Sequence, residues 1–141
     1  MGLWLLILIP ILAAPLAWMG QQWSRHAPRW IVLGALALDF MLALLLGGQH
    51  SAIQASGHGT WLIEHHTSWI PRWGISLHLG LDGLSVVLIL LTVFVGIVAT
   101  IASWTDIQSR VGLFHCHVLL VLGGVIGVFL AIDLFLFFFF W

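Results

Sequence analysis

Apolar residues in this chain form long uninterrupted runs rather than short amphipathic patterns. A hydrocarbon core of about 30 Å is crossed by about 20 apolar residues in a helix. Four windows of that kind predict transmembrane helices over residues 3–19, 30–47, 82–104 and 113–132. The apolar residues 133–141 predict a fifth, incomplete helix. The pattern therefore predicts an all-α polytopic membrane protein, with the whole chain forming part of one membrane domain.

Polar and proline residues predict where these helices begin, bend and end. Pro10 and Pro15 should kink the first helix without ending it, because neighbouring helices can cover the freed carbonyls. Asp82 precedes Gly83-Leu84-Ser85 and is well placed as the N-cap of the third helix. One straight helix over residues 113–141 would measure about 43 Å, too long for a single crossing. We therefore predict a break at Asp133.

The only sizeable polar segment is the predicted outer loop, residues 49–81. Residues 75–81 alternate apolar and polar side chains with a period of two, which is typical of a strand with one covered face. Residues 60–63 could pair with that strand. The sequence thus predicts a short strand or hairpin near residues 60–81, outside the membrane.

Composition and charge narrow the class of protein. Hydrophobic residues make up 62% of the chain, charged residues 6%, and the mean hydropathy is +1.15, so a water-soluble fold is excluded. The net charge of −1 argues against a nucleic-acid partner. Arg25, Arg29 and Arg110 lie in the first and third connections, against Arg72 in the second. The positive-inside rule then places the N-terminus outside, on the periplasmic side.

Three carboxylates are candidates for a proton path, because an ionisable group at membrane depth is costly and marks a pathway by default. Asp39 lies near the middle of the second helix, where it is either protonated or faces a polar cavity. Asp82 and Asp133 have a competing explanation as helix caps. We assign no catalytic, cofactor-binding or metal-binding residue on this chain.

The eight histidines do not form a metal motif. His115 and His117 are two residues apart, about 200° around a helix, and cannot chelate one ion from one face. We expect them within reach of lipid headgroups at the start of the fourth helix, and His78 on the polar face of the strand. Gly123 and Gly127 form a small-residue ridge that favours close helix packing.

Several segments, taken together, resemble the subunit M family of bacterial NADH:quinone oxidoreductase, respiratory complex I, to which mitochondrial subunit 4 also belongs. The resemblance covers essentially the whole chain and is most specific in its last third. The segments that carry it are Trp4 to Pro10, Pro28-Arg29-Trp30, Trp69 to Ser76, Leu81 to Ser85, Ser103-Trp104, Gly123 to Asp133 and Phe137 to Trp141.

The resemblance implies a larger antiporter-like subunit, of which this chain supplies four helices and part of a fifth. The family's N-terminus faces outward, in agreement with the arginine distribution. The family's ion-pair glutamate would be residue 142, directly after Trp141, and its lysines lie further on, so we expect this chain to be an N-terminal fragment. Asp82 and Asp133 belong to the family pattern, whereas Asp39 belongs to no motif of it.

For the complete subunit, the resemblance implies proton translocation across the bacterial inner membrane. NADH, FMN, iron–sulfur clusters and quinone would be bound by other subunits, and the partners would be neighbouring antiporter-like membrane subunits and the lipid bilayer. The fragment alone should be inactive, with no redox centre of its own. Two alternatives remain: a subunit of a multi-subunit cation/proton antiporter, and a haem-binding membrane anchor of a respiratory enzyme.

Overall fold

Helices dominate the computed structural model, which describes residues 2–48, 61–70 and 75–141. Four of the helices are long and apolar enough to cross a membrane, which confirms the predicted fold class. Residues 49–60 and 71–74 of the predicted outer loop lie outside the described residues. In chain order the elements are α1 (Gly2–Gly20), α2 (Ala27–Gly48), β1 (Ile63–Ile70), β2 (Ile75–Leu81), α3 (Gly83–Asp106), α4 (Val111–Leu130) and α5 (Leu134–Phe140).

The long helices form an up-and-down bundle in which α1 packs against both α2 and α4, and α3 closes the other side of α2 and α4. Close contacts set the antiparallel alignment of α1 and α2: Gly2 lies beside Leu46, and Gly20 beside Ile31. The outer faces of the helices expose Leu, Val, Phe and Trp side chains. Such a surface suits lipid and not water.

The α1 helix continues through both of its prolines, as the sequence predicts. Pro10 and Ile11 pack against Gly123 of α4, where a Cβ atom would lie 3.0 Å from the Ile11 side chain. Gly127 lies one turn further along α4 and contacts the Phe140 ring of α5. Each of the two glycines thus lets a different helix approach α4.

Strands β1 and β2 form an antiparallel hairpin, with Ile63 opposite Leu81 and His66 opposite His78. The predicted strand over residues 75–81 is confirmed. The predicted hairpin near residues 60–81 is also confirmed, and β1 extends beyond the predicted residues 60–63, from Ile63 to Ile70. The polar residues of β1 do not predict a strand from their sequence pattern. They nevertheless pair along the full length of β2, because backbone pairing does not require apolar side chains.

The hairpin lies against the junction between α4 and α5. Leu79 forms an isolated bridge with Ala131, and the Ile132 N–H donates to the His78 carbonyl at 3.0 Å. Leu79, Gly80 and Leu81 are buried by this contact. Residues 131–132, between α4 and α5, therefore pair with β2 along its free edge. This pairing gives the Ile132 N–H, which has no partner within a helix, a hydrogen-bond acceptor.

Candidate functional site

Two of the three predicted carboxylates, Asp82 and Asp133, lie at the starts of helices that adjoin the end of α4. Asp82 caps α3 and Asp133 caps α5, as the sequence predicts. The two caps are linked through α4, because the Ser85 hydroxyl donates to the Phe129 carbonyl at 2.9 Å, four residues before Asp133. The junction thus holds the starts of two helices against the end of a third.

Asp82 accepts a hydrogen bond from the Ser85 backbone N–H at 2.7 Å. Hydrogen bonding from Ser85 holds the pKa of the Asp82 carboxyl below its usual range, because these donors stabilise the ionised form. The carboxylate also lies at the positive end of the α3 dipole. Asp82 therefore behaves as a charged structural cap.

The two carboxylate oxygens of Asp133 accept hydrogen bonds from two different elements, α5 and β2. One oxygen accepts from the Phe135 backbone N–H at 2.8 Å, at the start of α5. The other accepts from the Ser76 hydroxyl of β2 at 3.3 Å. The same carboxylate thus caps α5 and ties it to the hairpin.

We expect Asp82→Ala to lower the stability of the membrane domain by about 1 kcal/mol, the usual cost of losing a helix N-cap. The pKa of the folded-state carboxyl is lowered, so its contribution is present above the unfolded pKa and lost as the pH falls below about 4. Thermal unfolding in detergent at pH 7 and pH 3 measures both effects. Asp106→Ala, at the opposite end of α3, is the matched control and should not destabilise. An equal loss in the two variants would contradict the capping role.

Asp39 lies far from this junction, on the buried face of α2. It is completely buried, and within the described ranges neither of its carboxylate oxygens has a hydrogen-bond partner. A buried polar group without a partner is rare and requires a specific explanation. Asp39 is therefore the least explained residue of the three.

Arg29 is a second buried ionisable residue, and the structure corrects its placement. The sequence placed it in a connection, but it lies in the first turn of α2 and is 3% exposed. Its guanidinium donates to the Ile107 carbonyl at 3.0 Å, contacts His26 Nδ1 at 3.2 Å and stacks 5.1 Å from the centre of the Trp104 ring. Arg29 is buried because its guanidinium supplies a hydrogen-bond donor to the Ile107 carbonyl at the C-terminal end of α3.

His115 is a third buried ionisable residue and also corrects the sequence interpretation. The sequence predicts it near lipid headgroups, yet it is fully buried, because it lies on the buried face of α4 with Val111, Gly112 and Leu119. Nδ1 lies 2.8 Å from the Val111 carbonyl, and Nε2 has no hydrogen-bond partner among the described residues. His117 is exposed on the opposite face, as the two-residue spacing requires.

A polar cluster on the hairpin joins Glu64, His66 and His78. Glu64 and His78 form an ion pair at 2.5 Å if the histidine is protonated, and the His66 ring lies edge-on to His78 at 5.0 Å. His78 therefore lies on a polar face of the strand, as predicted. Over the described ranges, no three His, Cys, Asp or Glu residues are arranged to hold a metal ion.

Asp82 and Asp133 thus both lie at helix starts that adjoin α4, whereas Asp39 is one of four buried residues, together with Arg29, Thr100 and His115. These four are the buried polar or charged residues in the described part of the chain. Sequence reasoning missed Arg29 and Thr100. A signal was available for Arg29, since positions 29, 32, 36, 39 and 43 recur at helical spacing and place it on the same face as Asp39.

Fold and site define a polytopic membrane protein in which a hairpin packs against a helix break and ionisable residues are buried in the bundle. No family model matches the chain. Curated relatives do match it: NADH-quinone oxidoreductase subunit M of Escherichia coli and that of Pseudomonas aeruginosa are each 46% identical over 96% of the chain. NAD(P)H-quinone oxidoreductase chain 4 of Chlorokybus atmophyticus is 37% identical over 97% of it. These matches confirm the resemblance to the subunit M family.

The chain spans about a quarter of the length of the curated relatives it matches. It covers 27% of the two bacterial subunits and 26% of the Chlorokybus atmophyticus protein. The likeness in sequence therefore applies to the helices and hairpin described above.

Proposed function

We propose that this chain is part of a proton-translocating membrane subunit of an NADH:quinone oxidoreductase. The observation that carries the proposal is 46% identity to subunit M over 96% of the chain. Four apolar helices of spanning length support a multi-pass membrane location. In this proposal, electron transfer from NADH to quinone takes place on other subunits, which bind FMN, iron–sulfur clusters and quinone, and this subunit moves protons.

In the proposed orientation, the N-terminus faces the periplasm of a bacterial inner membrane. Arg25 and Arg29 at the start of α2 and Arg110 before α4 then lie at the cytoplasmic end of the bundle, which the positive-inside rule supports. The hairpin then lies at the periplasmic end. Neighbouring antiporter-like membrane subunits are the proposed partners.

Asp82 and Asp133 have a structural role in this proposal. Both carboxylates accept backbone hydrogen bonds at helix starts, and Asp133 also binds Ser76. For Asp82, hydrogen bonding from Ser85 lowers the carboxyl pKa, so this group is poorly suited to releasing and rebinding a proton at neutral pH. We therefore propose that they position the hairpin and the start of α5, and that a proton path uses other groups.

Affinity purification of the tagged full-length protein from its native membranes tests the proposed function. We expect flavin- and iron–sulfur-containing subunits to co-purify with it, together with NADH:quinone oxidoreductase activity. Recovery with cation/proton antiporter subunits and no NADH oxidation would instead establish the antiporter alternative. A Soret band in the purified sample would establish the haem-anchor alternative. Either of these results would overturn the proposal.

A further inference from the structure

A groove runs along the outer surface of the bundle between α3 and α4. Its first part encloses about 410 Å³ and lies at the connection between the two helices, where Ser109, Arg110 and His117 line it. Its second part encloses about 290 Å³ and lies between Ala99 of α3 and Val121 of α4. His117 lines both parts, so they form one continuous groove.

The two parts of the groove differ in chemistry. In the first part, Ser109, Arg110 and His117 provide a hydroxyl, a guanidinium and an imidazole. The second part is lined mainly by apolar residues, and Gly96 and Ala99 keep its α3 wall free of large side chains. An amphiphile with a polar head and an apolar tail is complementary to this arrangement.

The length of the groove matches one leaflet of a bilayer. Arg110 and Leu122 are the lining residues of α4 that lie furthest apart, and twelve residues of helix rise by about 18 Å. Half of the hydrocarbon core is about 15 Å thick, and the headgroup layer adds about 6 Å.

Aromatic residues mark the level of the polar end. Trp30 at the start of α2 and Trp104 near the end of α3 meet edge to face at this end of the bundle, with ring centres 5.8 Å apart. Tryptophan is enriched at the membrane–water interface. The polar end of the groove therefore lies at headgroup level, and its apolar part lies among the acyl chains of the same leaflet.

The charge at the polar end favours an anion. Within the described ranges, the Arg110 guanidinium forms no ion pair with a carboxylate. The Asp106 carboxylate, the nearest acid in sequence, accepts from the Thr105 hydroxyl at 3.4 Å and is not among the residues that line the groove. His117 Nδ1 lies 2.8 Å from the Leu113 carbonyl, which leaves Nε2 as the ring nitrogen for a ligand. A phosphate group is complementary to this end, since it accepts hydrogen bonds and carries negative charge.

We propose that this groove binds one anionic glycerophospholipid, such as phosphatidylglycerol. Its phosphate lies at Arg110, and one acyl chain follows α4 past Val118 and Val121, against Ala99. The guanidinium selects a headgroup with a net negative charge over a zwitterionic one, because the latter would bring an ammonium group to the same end. No relative's name assigns a lipid site. The site requires no electron transfer, so it stands or falls separately from the proposed function.

Photo-crosslinking with the full-length protein in phosphatidylcholine vesicles tests the site. The first probe is phosphatidylglycerol with a diazirine near the end of one acyl chain. The second probe is phosphatidylcholine with the same diazirine, which has the phosphate but no net charge. Mass spectrometry of the labelled peptides locates the crosslinks. We expect the anionic probe to label Ala99 and residues 118–122 about fivefold more than the zwitterionic probe does, and both probes to label exposed Leu38 of α2 equally.

Two pairs of variants separate the headgroup contact from the acyl-chain contact. Arg110→Gln should reduce labelling of the groove by the anionic probe about fivefold. Arg25→Gln, the same change at an exposed arginine outside the groove, should not. Ala99→Trp should fill the apolar part and abolish labelling of residues 118–122. Ile101→Trp, on an exposed face of α3 at a similar depth, should leave it unchanged.

Two results would overturn the lipid site. Equal labelling of the groove by the two probes, or equal effects of Arg110→Gln and Arg25→Gln, would show that only ordinary bilayer lipid lies there. Labelling of Leu38 without labelling of the groove would show that protein covers it. Because the two probes are compared on the unaltered protein, a variant that fails to fold does not remove the test.

Discussion

Replacing Arg29 with glutamine should destabilise the membrane domain by about 2–5 kcal/mol. The Arg29 guanidinium donates to the Ile107 carbonyl and stacks on Trp104, so it joins the start of α2 to the end of α3. A hydrogen bond from a charged group contributes about 1.5–3 kcal/mol, and a desolvated cation–π contact adds about 0.5–2 kcal/mol. Glutamine lacks the positive charge and the planar guanidinium of arginine. The substitution therefore removes the N–H donor of the Ile107 carbonyl and the cation over the Trp104 ring.

Arg25→Gln is the matched control for this prediction. It makes the same change in charge only four residues away, but Arg25 is exposed, and a surface substitution of this kind shifts stability by about 0.5 kcal/mol or less. Thermal unfolding of the full-length subunit in detergent measures both variants. Arg29→Lys should fall between the wild type and Arg29→Gln, because lysine keeps the charge without the planar fork. Indistinguishable stabilities for Arg29→Gln and Arg25→Gln would contradict the assigned contacts.

Gly80→Val should release the hairpin from the junction between α4 and α5, at a cost of about 1–3 kcal/mol. A Cβ atom at Gly80 would lie 2.9 Å from both Ile132 Cγ1 and the Trp61 ring. Valine adds two further methyl groups, so β2 must move away from residues 131–132. Losing this contact breaks the hydrogen bond from the Ile132 N–H to the His78 carbonyl.

Hydrogen exchange at the Ile132 amide is the most direct measurement of this release. In the wild type the amide should be protected by the His78 carbonyl, and in Gly80→Val it should exchange as a free backbone group. Gly34→Val is the control, because a Cβ atom at Gly34 meets nothing within 4 Å. Retained protection at Ile132 in Gly80→Val would show that the hairpin is not held at this contact.

The carboxylates Asp82 and Asp133 at the helix starts and the buried ionisable residues differ in how far the sequence could predict them. Asp82 and Asp133 follow from local rules, because a cap is defined by the residues directly after it. The depth of Asp39 in the membrane could be predicted by counting residues along the second span. The other buried polar residues of the bundle could not be predicted in this way. Arg29, Thr100 and His115 come from three helices, and their burial depends on which face of each helix turns inward.

The sequence by itself determined the four spans, the caps at Asp82 and Asp133, the break between α4 and α5, and strand β2. Each depends on residues that are neighbours in the chain, or on the length of an apolar run against the thickness of the bilayer. Only the tertiary structure decided the length of β1, the burial of Thr100 and His115, and the docking of the hairpin. The physical reason is that these helices are apolar on all sides, so their patterns do not distinguish a face that meets lipid from one that meets another helix.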